Sequence, residues 1–190
     1  GIFLQELTDI YEAFGQGKPS PLPEPKVQYI DFSAWQRKLL SGPYMEELMQ
    51  HWRGVLDGKL PLMDLPRDRP RPAIQTFSGA HERIDLGLEL EAELNQLAQR
   101  EGVTLYMILL AAFKIFLFRY TGQVDFLVGT PVAARRSVEL ESMIGFFINT
   151  LVLCGDMSGN PSFLEFLERV LFLLLFTIVI QLVFQLVELF

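Results

Sequence analysis

Hydrophobic residues recur at helical spacing near the start of the chain. Phe3, Leu7, Ile10 and Phe14 are separated by three or four residues, which places them on one face of an α-helix. The segment "GQGKPSPLPEP" follows them, and its Gly and Pro residues end regular structure and favour an extended connector. The pattern therefore predicts one helix followed by an exposed linker.

Four later segments also carry helical patterns. "YIDFSAWQRKLLSG" and "PYMEELMQHWRGVLDG" predict two short helices, and the second begins at Pro43 and closes at Gly58. "LELEAELNQLAQREG" is amphipathic and ends at Gly102. "TLYMILLAAFKIFLFRY" begins after a capping residue, Thr104, and is apolar on almost every side. We therefore expect this last helix to be buried nearly all round.

Three segments carry strand signals. "QTFSGAHERIDL" predicts a strand region with a break at Gly79. "VDFLVGTPV" and "IGFFINTLVLC" are rich in Val, Ile and Phe, which is typical of central strands that are covered on both faces. Because these strands alternate with helices, the pattern predicts an α/β fold, a two-layer α/β sandwich.

The C-terminal helix is strongly apolar. Ser162 and Glu165 have the spacing of a capping box. Residues 170–187 carry no formal charge, and this stretch is long enough to cross a bilayer as a helix. Residues 104–118 are almost as apolar and lie between segments of ordinary polarity, so a membrane span is the less favoured interpretation. The polar residues of the tail fall on one stripe of the helix: Thr177, Gln181, Gln185 and Glu188.

Charge and composition argue against several functions. The 190 residues carry a net charge of −7, which argues against a nucleic-acid partner because such binding relies on clustered Lys and Arg. The single cysteine, Cys154, excludes an intrachain disulfide and a multi-cysteine metal site and fits a cytoplasmic protein. The sequence has no Gly-rich phosphate loop, metal-binding His pair or nucleophile elbow. Since His51 and His81 lack a sequence neighbour that predicts a catalytic pair, we assign no catalytic residue and no metal site.

Four motifs, in order, carry a resemblance to a known family. They are "YIDFSAWQ" (29–36), "LPRDRPRP" (65–72), "RYTGQVDFLVGTPVAAR" (119–135) and "IGFFINTLVL" (144–153). Together they resemble the condensation domains of nonribosomal peptide synthetases, from residue 1 to about residue 170. "REGVTLYMILLAAF" resembles the members of that family that join two L-configured residues. The tail does not match the family pattern, and we interpret it as a soluble helix whose end has decayed, been misread or been cut.

The resemblance implies a fold like that of chloramphenicol acetyltransferase, with two lobes and a tunnel between them. Peptidyl carrier domains are expected to bring phosphopantetheine-tethered thioesters to opposite mouths of the tunnel, next to an adenylation domain. The acceptor amine would then attack the donor thioester and form a peptide bond. Residues 1–72 are expected to be the end of the N-terminal lobe and the lobe crossing, and residues 73–190 the C-terminal lobe.

The family signature of two histidines, three variable residues and Asp-Gly is not found in residues 1–190. The resemblance places it in the first lobe, a few residues upstream of Gly1, with its second histidine as the proposed base. The chain is therefore expected to be a fragment that is inactive alone, with phosphopantetheine supplied by partner carrier domains and no cofactor bound directly. The alternative is a non-catalytic carrier-binding or interaction lobe, or a gene remnant.

The resemblance assigns three residues to substrate binding. Trp35 is expected to help shape the tunnel region, and a core indole that fixes the lobe crossing is the structural alternative. Asn149 and Thr150 match the stretch that borders the tunnel in the family. The Asn149 amide can donate and accept hydrogen bonds, so it suits either a pantetheine amide or a loop, and we favour the loop.

The remaining motif residues are interpreted as structural. Arg135 follows a strand, and its guanidinium could bind a carboxylate across the lobe interface, although a structural role is the safer interpretation. Asp68 and Arg69 are expected to pair locally, which contributes little stability when the pair is exposed. The others mark the family motifs and are Tyr29, Asp31, Phe32 and Gly145.

Overall fold

The computed structural model of the chain describes residues 1–57, 62–70, 72–74, 76–133, 135 and 137–186, with side chains as far as residue 175. Its contacts divide the chain into two compact units. Unit 1 consists of Gly1–Gly58 and Gly129–Leu151, and unit 2 of Lys59–Val128 and Val152–Phe190. The predicted division at residue 72 refers to the lobes of the family fold, and it stays a prediction.

Seven helices and two strands are present in the described ranges. The helices are α1 (Ile2–Gly15), α2 (Tyr29–Leu39), α3 (Pro43–Leu56), α4 (Gly87–Glu101), α5 (Leu105–Thr121), α6 (Val138–Glu141) and α7 (Phe163–Leu186). The strands β1 (Asp125–Ala133) and β2 (Ile148–Asp156) pair in a two-stranded sheet. The two strands are antiparallel, because Phe126 approaches Gly155 whereas Gly129 approaches Thr150.

The predicted strand at "QTFSGAHERIDL" is wrong. Residues 76–86 have no regular structure and are exposed, and Gln75 lies outside the described residues. A strand needs a neighbouring backbone to accept its hydrogen bonds, whereas here short side chains serve the backbone: Ser78 N donates to Thr76 Oγ1 and Gly87 N to Asp85 Oδ1. With no third strand in the described sheet, β1 and β2 each keep an unpaired edge and are not central strands.

Unit 2 has an extensive hydrophobic core. Helix α5 packs against α4 and α7, and Ile108, Leu153 and Phe166 are among the buried residues at their contacts. The expectation that α5 is buried all round is wrong, because these neighbours cover one side and leave an aromatic side exposed. The exposed residues on that side are Tyr106, Leu109, Phe113, Phe116 and Tyr120.

Helix α7 begins as predicted. Ser162 N donates to Glu165 Oε2 at 2.7 Å, and Glu165 N donates to Ser162 Oγ at 3.4 Å, which completes the capping box. The side chains of the polar stripe from Thr177 to Glu188 lie outside the described part. In the part that is described, no single helix is long and apolar enough to cross a membrane, and the one pair that passes together, α4 and α5, is bent by 103°.

Candidate functional site

Helix α2 presents aromatic residues in unit 1. The amide of Gln28, just before the helix, donates to Asp31 Oδ2 at 2.9 Å, and this bond satisfies an amide that the helix leaves without a partner. Tyr29, Phe32 and Trp35 are three residues apart, so they share one side of α2. The Phe32 ring lies 5.8 Å from that of Trp35 and 6.0 Å from that of Tyr29.

Phe147, directly before β2, is the centre of this aromatic group. Its side chain is 4 % exposed. The Phe32 ring lies 4.8 Å from it, and the Tyr29 ring meets it edge-on at 5.4 Å. The Arg135 guanidinium lies 4.2 Å from the centroid of the same ring, which is within the range of a cation–π contact. Two side chains of α2 and one from the segment before α6 thus hold one ring.

Arg135 also binds backbone carbonyls. Its Nη1 donates to the carbonyl oxygens of Leu140 and Met143, and more weakly to that of Glu141 at 3.4 Å. These carbonyls lie at and after the end of α6, where helix carbonyls lack intrahelical partners. The described contacts of Arg135 therefore lie within unit 1, and the binding of a carboxylate across a lobe interface stays a prediction.

Gly145 lies against the Tyr29 ring. A Cβ added to this glycine would come within 2.7 Å of Tyr29 Cε2 and within 2.8 Å of Phe147 Cε2, so any larger residue would displace a ring. The Tyr29 hydroxyl donates to the carbonyl oxygen of Phe146 at 3.1 Å. Tyr29 and Gly145 thereby join α2 to the segment before β2.

Asn149 and Thr150 are exposed on β2. Asn149 Oδ1 accepts a hydrogen bond from the Thr150 amide at 2.8 Å, and within the described residues Asn149 Nδ2 has no protein partner. The Thr150 methyl group packs over Gly129 of β1, where an added Cβ would lie 3.2 Å from it. The contact that Asn149 makes among the described residues is local, and both its loop-tying role and its assignment to substrate binding stay predictions.

The other predicted residues are more scattered. Trp35 is 53 % exposed in the described structure, and both its assignment to substrate binding and the core alternative stay predictions. In the proline loop, the ion pair that forms joins Arg67 to Asp64 at 3.6 Å, and Asp68 and Arg69 do not pair with each other in the described structure.

Lys114 was missed by the sequence analysis. It is 1 % exposed within α5, and its Nζ donates to the Cys154 carbonyl oxygen at 2.8 Å. Burial lowers the pKa of Lys114 to about 8, and the charge of neighbouring Cys154 opposes this change. It lies in a cleft of about 420 Å³ that is otherwise mostly apolar. The signal for this residue was its single charge within the apolar run "MILLAAFKIFLF".

The sequence model of the condensation domain family matches residues 1–175, which include all these candidate residues. The chain belongs to the condensation domain family. The match covers the four motifs that carried the resemblance and ends within α7, where the tail departs from the family pattern. The predicted recognition is therefore confirmed.

This condensation domain chain has relatives among much longer proteins. It is 53 % identical to a linear gramicidin synthase polypeptide of Brevibacillus parabrevis over 170 residues, which are 90 % of this chain and 3 % of that protein. Malpinin synthetase of Mortierella alpina is 47 % identical over 90 % of this chain and 2 % of its own length. The chain thus spans a small part of the synthetases that it resembles.

Solved structures confirm the α/β fold. The first condensation domain of the calcium-dependent antibiotic synthetase, in complex with a substrate analogue, superposes with a TM-score of 0.64 at 23 % identity, over 89 % of this chain and 37 % of that one. The complex of the X-domain and OxyB from teicoplanin biosynthesis gives a TM-score of 0.82 at 28 % identity, over 90 % of this chain and 39 % of that one. The condensation domain fold is thereby shown for this chain.

Proposed function

We propose that this chain is part of a condensation domain that forms peptide bonds in a nonribosomal peptide synthetase. The observation that carries the proposal is the family match over residues 1–175. The 53 % identity to the linear gramicidin synthase polypeptide supports it. Because the chain corresponds to 3 % of that protein, we propose that it works beside carrier and adenylation domains. We also propose that it works in the cytoplasm. The L-L joining type rests on the segment "REGVTLYMILLAAF".

The reaction sets two chemical requirements. The attacking amine must lose a proton, and the thioester oxygen needs hydrogen-bond donors while it carries negative charge. Within residues 1–190 the histidines are His51 and His81, and neither stands in the two-histidine signature that supplies the proposed base in the family. We therefore propose that residues 1–190 alone do not catalyse condensation.

The described residues suit a binding role towards the phosphopantetheine arm of a carrier domain. This arm contains amide groups, which both donate and accept hydrogen bonds. Asn149 is exposed, and its Nδ2 remains available to donate to an amide carbonyl oxygen. We propose that Asn149 binds the arm and that Thr150 and Trp35 border the same path, while the carrier domain supplies the cofactor.

A chimeric enzyme tests this function. The 170 residues of this chain that match the linear gramicidin synthase polypeptide would replace their counterparts in that protein. We expect the chimera to condense two carrier-bound aminoacyl groups, as measured by mass spectrometry of the carrier-bound dipeptide, and residues 1–190 alone to give no product. A folded chimera without product would contradict the proposal.

The Asn149→Ala variant of the chimera tests the binding role. We expect its condensation rate to fall about tenfold while its melting temperature changes by about 2 °C or less, because an exposed amide contributes little to folding. The matched control is Gln50→Ala, which removes an exposed amide from α3 of the same unit. Equal losses in rate and melting temperature would indicate that Asn149 only stabilises the loop.

A second candidate is a non-catalytic interaction lobe. The X-domain supports this candidate, because its structure was solved in complex with OxyB. This chain superposes on the X-domain with a TM-score of 0.82, against 0.64 for the first condensation domain of the calcium-dependent antibiotic synthetase. A chimera that binds holo-carrier protein in calorimetry but produces no dipeptide would favour this candidate over the enzyme.

A further inference from the structure

The segment between α6 and β2 is held by one residue that is near in sequence and one that is distant. Arg135 binds the carbonyls of Leu140 and Met143 at one end of it. At the other end, the Tyr29 hydroxyl binds the Phe146 carbonyl, 117 residues away in the chain. We refer to Tyr29, Arg135, Gly145 and Phe147 as the clamp.

The clamp leaves little freedom at its centre. Phe147 contacts Tyr29, Phe32 and Arg135, and a ring enclosed on three sides cannot change rotamer without displacing a neighbour. Gly145 has no positive φ, so its backbone does not require glycine. Its lack of a side chain is required instead by the Tyr29 ring, which occupies the position of a Cβ.

Asn149 follows Phe147 by two residues. Side chains two positions apart in an extended chain point to the same face, and Phe147 and Leu151 are both buried. Asn149 lies between these two residues, on the face where the alternation of side chains predicts a buried apolar residue. It is instead polar and exposed. The bond from the Thr150 amide to Oδ1 orients this group and leaves Nδ2 to donate.

We propose that the clamp is a positioning device for Asn149, which directs its Nδ2 towards an amide carbonyl of a carrier-bound pantetheine arm. This inference rests on the proposed function. Tyr29, Gly145 and Arg135 are positioning residues that touch no substrate and act through Phe147 and the start of β2. A shift of about 1 Å at Phe147 would move Asn149 away from its partner, and displacements of that size are large enough to lower rates substantially.

A double-mutant cycle in the chimeric enzyme tests the inference. Gly145→Ala, Asn149→Ala and the double variant would be compared for kcat, for the apparent KM of each holo-carrier protein and for melting temperature. We expect Gly145→Ala to raise the apparent KM for one carrier about tenfold and the double variant to be no worse than Asn149→Ala, because both changes remove the same interaction. Gly79→Ala is the matched control, since a Cβ there would have open space.

Each outcome decides the question. The inference would be overturned if the losses in kcat/KM of the two single variants multiplied in the double variant. It would also be overturned if Gly145→Ala lowered kcat only in step with melting temperature and left KM unchanged. Either result would leave the proposed function intact. An unsubstituted chimera that folds without forming dipeptide would overturn both. If Gly145→Ala prevents folding, Tyr29→Phe replaces it in the cycle, because that change removes only the hydroxyl bond to Phe146; we then expect a KM increase of about threefold, again absent on the Asn149→Ala background.

Discussion

Among the described residues, the core of unit 2 contains twelve buried, mainly aliphatic residues from α4, α5, the two strands, the position after β2 and α7. The described hydrophobic cluster of unit 1 has three buried members, Phe32, Met143 and Phe147. The cluster of unit 1 is completed by directional contacts, namely the Arg135 bonds to carbonyls and the Tyr29 hydroxyl bond. A broad apolar core is stabilised in proportion to its buried area, but a small cluster depends on a few placed groups. We therefore expect substitutions in unit 2 to act mainly on stability and those in unit 1 to act on local geometry as well.

The largest expected effect is in the core of unit 2. Phe166→Ala removes a ring that is 1 % exposed, and we expect the free energy of unfolding of the chimera to fall by about 3 to 5 kcal/mol. Urea denaturation followed by circular dichroism measures the change. Phe116→Ala, at 55 % exposure on α5, is the matched control, with an expected loss of about 1 kcal/mol or less. Similar losses for both variants would break the contrast between core and surface in unit 2.

Lys114 gives the core of unit 2 a pH dependence. Its pKa in the folded state is about 8, against 10.5 as the ordinary value. Between these two pH values the unfolded chain binds more protons than the folded chain, so stability rises as the pH increases from about 8 to 10.5. Over this pH range we expect the free energy of unfolding to increase by on the order of 3 kcal/mol relative to that of Lys114→Met.

The comparison with Lys114→Met isolates this effect, because the two proteins differ in no other titratable group. Urea denaturation at several pH values between about 7 and about 11, a range that brackets both pKa values, provides the measurement. A constant difference in stability between the two proteins over that range would show that Lys114 keeps an ordinary pKa in the fold.

A smaller effect is expected from the clamp of unit 1. Arg135→Lys keeps the positive charge but loses the planar group that binds two carbonyls and covers the Phe147 ring. We expect the free energy of unfolding to fall by about 1 to 2 kcal/mol. We also expect faster amide hydrogen exchange in residues 140–147. Arg83→Lys, in the exposed segment 76–86, serves as the control. Unchanged exchange in 140–147 would contradict the dependence of unit 1 on directional contacts.

The smallest expected effect concerns a helix end. Thr104 Oγ1 accepts a hydrogen bond from the Met107 amide at 3.3 Å, so Thr104→Ala should cost about 1 kcal/mol. Thr104→Ser keeps the hydroxyl and should change stability by roughly a few tenths of a kcal/mol at most. Thermal unfolding of the three proteins separates these expectations, and an equal loss in both variants would assign the effect to the methyl group instead of the cap.

Local patterns predicted most helices because their determinants lie within one segment. Pro43 opens α3, Gly102 ends α4 in a left-handed conformation, and Ser162 and Glu165 cap α7. The strand predicted at "QTFSGAHERIDL" failed because a strand depends on a partner elsewhere in the chain. The burial of Lys114 was not predicted for a related reason, since the carbonyl that Lys114 binds belongs to β2.

The functional roles of the candidate site residues stay predictions, and the contacts of these residues were not predicted. The motifs pointed to Tyr29, Arg135, Gly145 and Asn149 as members of one family pattern. Their arrangement could not be derived from spacing, because Tyr29 and Phe146 are 117 residues apart. The expected pairing of Asp68 with Arg69 was replaced by one between Arg67 and Asp64, which shows how weakly neighbouring charges specify a pair.

The sequence by itself determined most of the helices, several of their caps and the membership of the condensation domain family, because each depends on the order of residues along the chain. The tertiary structure alone decided that Tyr29 covers Gly145, that three groups enclose Phe147, and that a lysine lies buried in an apolar helix. These contacts join segments whose meeting depends on the packing of the whole unit. The physical reason is that backbone periodicity acts within a few residues, whereas burial and close approach are properties of the folded chain.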